Sequence, residues 1–227
     1  LSSGEQGTYL LQGVTGSGKT EIYIEIAKRT ITSGRSVILL VPEIALTSQL
    51  ISEFSNHFDD LLLTHSKMTE SARHQVWTEG LNSKNPRIVI GPRSAIFTPL
   101  ADIGAIIIDE AHDQSLKQEQ SPKYSALRAA TVLGRLHKSV VIFGTATPNV
   151  TDKYLAEASG KSIVRLNNKA IQNSLAPEIE LVDMTKRSNF NNHRFLFFFL
   201  INTIKETSAK NQQILIYHNR RSSTTTS

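Results

Sequence analysis

Short apolar runs alternate along the chain with longer segments of helical period, the pattern of a parallel sheet wound with helices. Residues 9–12 read as a strand entering a glycine-rich turn. Residues 20–33 then carry Ile22, Ile26 and Ala27 at helical spacing, with Gly34 as the stop. Residues 36–41 are rich in β-branched side chains and end at Pro42, as a buried strand does. Helices are expected over 45–58, 71–81, 125–136 and 149–158, the last stopped at Gly160, and strands over 61–64, 87–90, 103–108 and 139–143. Beyond that point the pattern changes. Residues 161–177 are polar and irregular apart from 163–166, as a connection between lobes would be. Residues 178–183 and 214–217 read as strands, 195–207 as a helix, and 220–227 as a disordered polar tail. One helix and two strands cannot enclose a core. The expected division is therefore one α/β domain over 1–170, followed by a connector and the beginning of a second domain over 171–227. No internal repeat is visible.

Candidate chemistry lies in the turns between these elements. Gly13, Val14, Thr15, Gly16, Ser17, Gly18, Lys19 and Thr20 form a complete G-x-x-x-x-G-K-[ST] pattern after a strand and at the start of a helix. Glycines let the backbone wrap closely, so that amides and the helix N-terminus face phosphate oxygens. Lys19 would reach the β- and γ-phosphates, and the Thr20 hydroxyl would coordinate magnesium. The plain alternative is a flexible glycine-rich turn. The apolar strand at 103–108 runs into Asp109 and Glu110, and such a strand delivers its carboxylates to the ligand-binding edge of a parallel sheet. Asp109 would hold magnesium, and Glu110 would act as general base on the attacking water; a solvated turn is the bland reading.

The remaining candidates are weaker by themselves. His112 either couples nucleotide state to a neighbouring loop or satisfies a backbone carbonyl. Thr145 and Thr147, in the Gly144-to-Pro148 turn, either face the phosphate edge or cap the next helix. Thr47, in the segment 42–49, and Arg93 with Ser94, in the segment 91–97, are candidate contacts to a nucleic-acid backbone, with loop and cap chemistry as the alternative. The charged loop 117–124 carries one aromatic, Tyr124; the loop either stacks a base, senses ATP or is a solvated connector.

Composition narrows the class. Of 227 residues, 39% are hydrophobic and 20% charged, enough for a packed core. A net charge of +5 fits a polyanionic partner without requiring one. With no cysteine, disulfides and thiolate zinc sites are excluded within these residues. No secretory signal precedes the first strand, and the apolar run 195–201 is far short of the roughly 20 residues a membrane span needs. A soluble, cytoplasmic chain with no membrane partner is expected.

The motifs in this order resemble superfamily 2 helicases, and their wording resembles the primosomal replication-restart helicases. The carrying segments are GVTGSGKTE at 13–21, VPEIALTSQL at 41–50, HS at 65–66, IVIGPRSAIFTPL at 88–100, IIIDEAH at 106–112, DQSLKQEQSPKYSA at 113–126, GTATPN at 144–149 and IYHNRRSS at 216–223. The resemblance implies a RecA-like P-loop NTPase domain with a mostly parallel sheet flanked by helices, plus the start of a second RecA-like lobe. It implies a 3′-to-5′ DNA helicase that uses ATP and magnesium and loads replication machinery at stalled forks. Its partners would be single-stranded or forked DNA, the primosome and single-strand-binding proteins. On that reading Arg93 lies near DNA, the loop after His112 couples ATP state to DNA, and Thr145 and Thr147 link the two. The chain departs from the family at Leu116, where an aromatic is usual, and near Leu127 and Arg128, where an Arg-Asp pair is usual. The zinc modules, the arginine finger and the rest of lobe two belong to family segments not found in these residues, so weak ATP binding without unwinding is expected. Two alternatives stay open: another superfamily 2 translocase or RNA helicase, and a nucleotide-dependent binding module without turnover.

Overall fold

In the computed structural model, strands β2 (Ser36–Leu40) and β5 (Ile103–Ile108) are buried at every residue, as strands covered on both faces must be. The structure describes residues 6–14, 16–43, 45–46, 48–158, 163–168, 179–183, 185 and 198–217. The chain forms two units, Leu1–Ser174 and Leu175–Ser227.

The first unit is built on a seven-stranded sheet. Its remaining strands are β1 (Gly7–Gly13), β3 (Leu61–Leu63), β4 (Ile88–Gly91), β8 (Val140–Thr145) and β9 (Ile163–Leu166), in the order β3-β4-β2-β5-β8-β1-β9. Every pairing is parallel, with β2 beside β5 through Leu40 and Ile108 and β1 beside β8 through Gln12 and Thr145. All carboxyl ends therefore gather at one edge, where open α/β sheets bind their ligands. A separate short hairpin pairs β6 (Lys117–Gln118) with β7 (Tyr124–Ser125).

Alternate residues of each strand serve opposite faces, as a period of two requires. Val37, Leu39, Ala105 and Ile107 pack with Tyr23, Ile24 and Ala27 of α1 (Lys19–Thr32) and Phe54 of α2 (Ser48–Ser55). Ile38, Leu40, Ile106 and Ile108 pack on the other side with Ala126 and Ala130 of α4 (Ala126–His137). Val76 of α3 (Glu70–Asn82) joins that second cluster from its edge. Eight residues are too few to hold α2 helical alone. Full burial of Phe54, which contributes about 2 kcal/mol, fastens it to the sheet. The remaining helix of this unit, α5 (Val150–Ala158), follows β8.

Several expectations change. The buried face of α1 is Tyr23, Ile24 and Ala27, whereas Ile22 and Ile26 are only partly buried. The helix expected from 45 begins at Ser48, because the turn after Pro42 uses the Pro42 carbonyl to receive the amides of Ala45 and Leu46. Residues 163–166, expected within a lobe connection, form β9 and extend the sheet beside β1. In the second unit α6 spans Phe198–Ala209, but the described residues 179–183 and 214–217 are not strands. Neither segment has a partner strand among the described residues, and period-two alternation without a ladder does not make a sheet. Thr15, Thr47, Gly160 and the tail 220–227 lie outside the described residues.

Candidate nucleotide site

The turn from β1 into α1 depends on glycine. Gly16 and Gly18 have φ of 76° and 83°, in the left-handed region that side-chain-bearing residues rarely adopt. Gly18 also caps α1, so the first amides of the helix open toward the turn. A Cβ on Gly13 would stand 2.5 Å from Ser17 Oγ and 3.1 Å from Leu166 Cβ, so only glycine fits where the turn crosses β9. The Ser17 amide donates to the Val14 carbonyl at 3.1 Å, and Lys19 Nζ donates to the Gly13 carbonyl at 3.0 Å. Ser17 Oγ is buried without a hydrogen-bond partner, and nothing lies within 4 Å of where a Gly16 Cβ would be. The described residues of the turn thus carry backbone amides, an ammonium group and an unpaired hydroxyl. This donor set suits phosphate oxygens.

The acid pair follows β5. The Asp109 amide donates to the Leu40 carbonyl at 2.8 Å, which continues the β2 ladder one residue past the strand. Glu110 turns the chain sharply with φ of 45°, and the Ala111 amide then donates to the Gly144 carbonyl at 2.9 Å. A left-handed glutamate costs on the order of 1 kcal/mol and persists where surrounding bonds hold it.

Tyr23 joins the loop helix to the acid pair. It lies one helical turn beyond Lys19, is fully buried, and donates its hydroxyl hydrogen bond to Asp109 Oδ1 at 2.8 Å. Burial, reinforced by the neighbouring Asp109 carboxylate, pushes the Tyr23 phenol far above its ordinary range, so it remains a donor. A Cβ on Gly144 would overlap that hydroxyl, which explains the glycine at this point of β8. Lys19, Thr20, Asp109 and Glu110 therefore gather at the same sheet edge. Thr20 is partly buried in the first turn of α1. Its hydroxyl and the Asp109 carboxylate are hard oxygen ligands, and magnesium commonly takes only one or two such groups, with phosphates and water completing its shell. Among the described residues no group of three His, Asp or Glu side chains could itself hold a metal.

His112 and Thr145 also meet here. His112 Nδ1 is 2.8 Å from Thr145 Oγ1 and 3.4 Å from Glu110 Oε2, and the Thr147 amide donates to Thr145 Oγ1 at 3.1 Å.

Arg93 and Ser94 line a different feature, a groove of about 870 Å³ that also takes in His65, Arg73, Trp77 and Tyr124. Arg93 donates to the carbonyls of Ser115 and Lys117 at 2.7 and 2.8 Å, tying this groove to the segment after His112. Tyr124 stands edge-on to Phe97, with ring centroids 5.0 Å apart, and its phenol is pushed up by burial against the opposing pull of Arg93. Leu116 does not face this groove as a stacking group; it is buried in the core.

Tyr23 and Trp77 were not singled out by their sequence positions. Tyr23 sits at the four-residue spacing from Lys19 that places both on one helix face, which was the available signal. Trp77 is 47% exposed on α3, and nothing in the local pattern distinguishes it from a core aromatic.

The family model of DEAD/DEAH box helicases matches residues 2–154. A curated relative from Bacillus subtilis, replication restart protein PriA, is 36% identical over 92% of this chain and 26% of its own length. PriA of Chlamydia trachomatis is 42% identical over 78% of this chain and 24% of its own length. The chain thus spans about a quarter of the length of the curated relatives it matches. Among solved structures, the helicase domain of Pyrococcus furiosus Hef superposes with a TM-score of 0.54 at 22% identity, covering 76% of this chain and 37% of that one, a likeness of RecA-like α/β fold. With two thirds of its residues under that family model and a PriA-like sequence, this chain belongs to the DEAD/DEAH box helicases of superfamily 2.

Proposed function

We propose that the chain binds Mg-ATP on the loop 13–20 and serves as the motor lobe of a 3′-to-5′ DNA helicase in replication restart, hydrolysing ATP to move along single-stranded DNA. The observation that carries this reading is the bond from Tyr23 to Asp109, which draws the phosphate-loop helix and the acid pair to one edge of the sheet. Family membership and the PriA relatives supply the direction of the reading.

The roles follow from placement. Amides of residues 13–20 cradle the phosphates, and Lys19 exchanges its 3.0 Å bond to the Gly13 carbonyl for the β- and γ-phosphate oxygens. Thr20 and Asp109 would hold magnesium, which neutralises charge on the transferring phosphoryl group. Glu110 orients the attacking water and takes its proton. The hydrogen bond between His112 and Thr145 connects this chemistry to β8, and Thr147 follows through its amide. Arg93, Ser94 and, from its sequence position, Thr47 contact the DNA backbone. The aromatic and cationic side chains of the groove suit a single strand, whose bases stack on rings while its phosphates meet arginine. We assign residues 1–170 to the ATP-binding lobe and 171–227 to the connector and the start of lobe two. Forked DNA, primosome proteins and single-strand-binding proteins are the partners proposed, in the cytoplasm. No helix among the described residues is long and apolar enough to cross a membrane.

The test is steady-state ATP hydrolysis with single-stranded DNA or RNA of equal length. Stimulation by DNA in excess of RNA is expected. A preference for RNA contradicts the DNA assignment and favours an RNA helicase.

A further inference from the structure

We infer that Tyr23 is a positioning residue for Asp109, holding one carboxylate oxygen so that the other is presented to the magnesium of the bound nucleotide. This inference rests on the nucleotide reading and adds to it a side chain outside both the phosphate loop and the acid pair.

The main chain of Asp109 is fixed by its amide bond to the Leu40 carbonyl, but that bond leaves the side-chain torsions free. The Tyr23 hydroxyl restricts them by donating to Oδ1 at 2.8 Å, which leaves Oδ2 as the oxygen to coordinate. Tyr23 has no exposed surface, so no bulk water competes for that hydroxyl. Tyr23 also lies three residues after Thr20 on the same rigid helix. Both proposed metal-binding oxygens are therefore referenced to α1: Thr20 belongs to it, and Asp109 is tied to it through the phenol. Gly144 completes the arrangement, since any Cβ there would overlap the Tyr23 hydroxyl and come within 3.4 Å of Asp109 Oδ1. A tyrosine needed only for core volume would not require β8 to give up a side chain where the hydroxyl passes.

The experiment titrates Mg²⁺ into the chain at a fixed concentration of a fluorescent ATP analogue, comparing wild type with Tyr23→Phe. The variant keeps the ring and loses only the hydrogen bond. Its Mg²⁺ midpoint should rise about tenfold, the scale of one hydrogen bond to a charged group. Affinity for the analogue in EDTA should stay within about twofold of wild type. Electron paramagnetic resonance of Mn²⁺ in place of Mg²⁺ should show a changed metal environment in the variant. An unchanged midpoint in a folded Tyr23→Phe chain overturns the inference. Should that variant fail to fold by circular dichroism, Gly144→Ala, which displaces the hydroxyl, is measured instead. The same rise supports the inference, and an unchanged midpoint overturns it. If wild type fails to bind the analogue even at saturating Mg²⁺, the nucleotide reading itself is overturned, an outcome distinct from a normal wild type with an unaltered variant.

Discussion

His112 Nδ1 lies 2.8 Å from Thr145 Oγ1, joining the turn after β5 to the end of β8. The threonine oxygen also accepts the Thr147 amide at 3.1 Å, and the direction of its bond to the imidazole is set by the histidine's tautomer. Glu110 Oε2 stands 3.4 Å from the same ring nitrogen. The histidine thus stands between Glu110 and Thr145, and through Thr145 it reaches the turn that carries Thr147.

Thr145→Ala removes this junction at an almost wholly buried side chain and takes away the partner of the Thr147 amide. We expect a loss of about 1–2 kcal/mol in unfolding free energy, measured by urea titration. Nucleotide affinity should change by less than about twofold, while stimulation of hydrolysis by single-stranded DNA should be lost.

Glu110→Gln keeps the size of the side chain and removes the base. Hydrolysis in a single-turnover quench experiment should fall by about 10²–10⁴. Equilibrium binding of Mg-ATP should be retained, because the phosphate contacts belong to the loop and to Lys19.

Arg93 holds two backbone carbonyls of the segment 115–117, and a carbonyl does not neutralise its charge. Arg93→Ala should therefore weaken binding of a fluorescent single-stranded oligonucleotide and reduce the dependence of affinity on salt by about one ionic contact. Arg93→Lys should recover the salt dependence but not the hydrogen-exchange protection of residues 114–118, since lysine lacks the planar fork.

Gly91→Ala tests the packing behind the groove. The added Cβ would overlap Thr64 Oγ1 and stand 2.8 Å from the Thr64 carbonyl and 3.1 Å from Ala95 Cβ. Backbone cannot yield cheaply there. A destabilisation of about 1–3 kcal/mol is expected by denaturant unfolding.

The strands were legible because burial on both faces leaves unbroken apolar runs, such as Ile103–Ile108. The phosphate loop and acid pair were legible because each sits in a turn between recognisable elements. Other features depend on tertiary contacts that no local pattern encodes. Tyr23 reads as one apolar position among several on a helix, and only the approach of β5 and β8 makes its hydroxyl consequential. The hairpin of Lys117–Gln118 with Tyr124–Ser125 is too short to show alternation. Ile163–Leu166 gave a strand-like run, but its membership in the first sheet is decided by pairing with β1. Residues 214–217 had the composition of a strand and no ladder to join among the described residues, so composition misled.

Isothermal titration of Mg-ATP into wild type and Lys19→Ala tests the account most directly. Wild type should bind one equivalent, and Lys19→Ala should lose at least about tenfold in affinity with its fold intact by circular dichroism. Equal affinity in the two chains would contradict a nucleotide site on this loop.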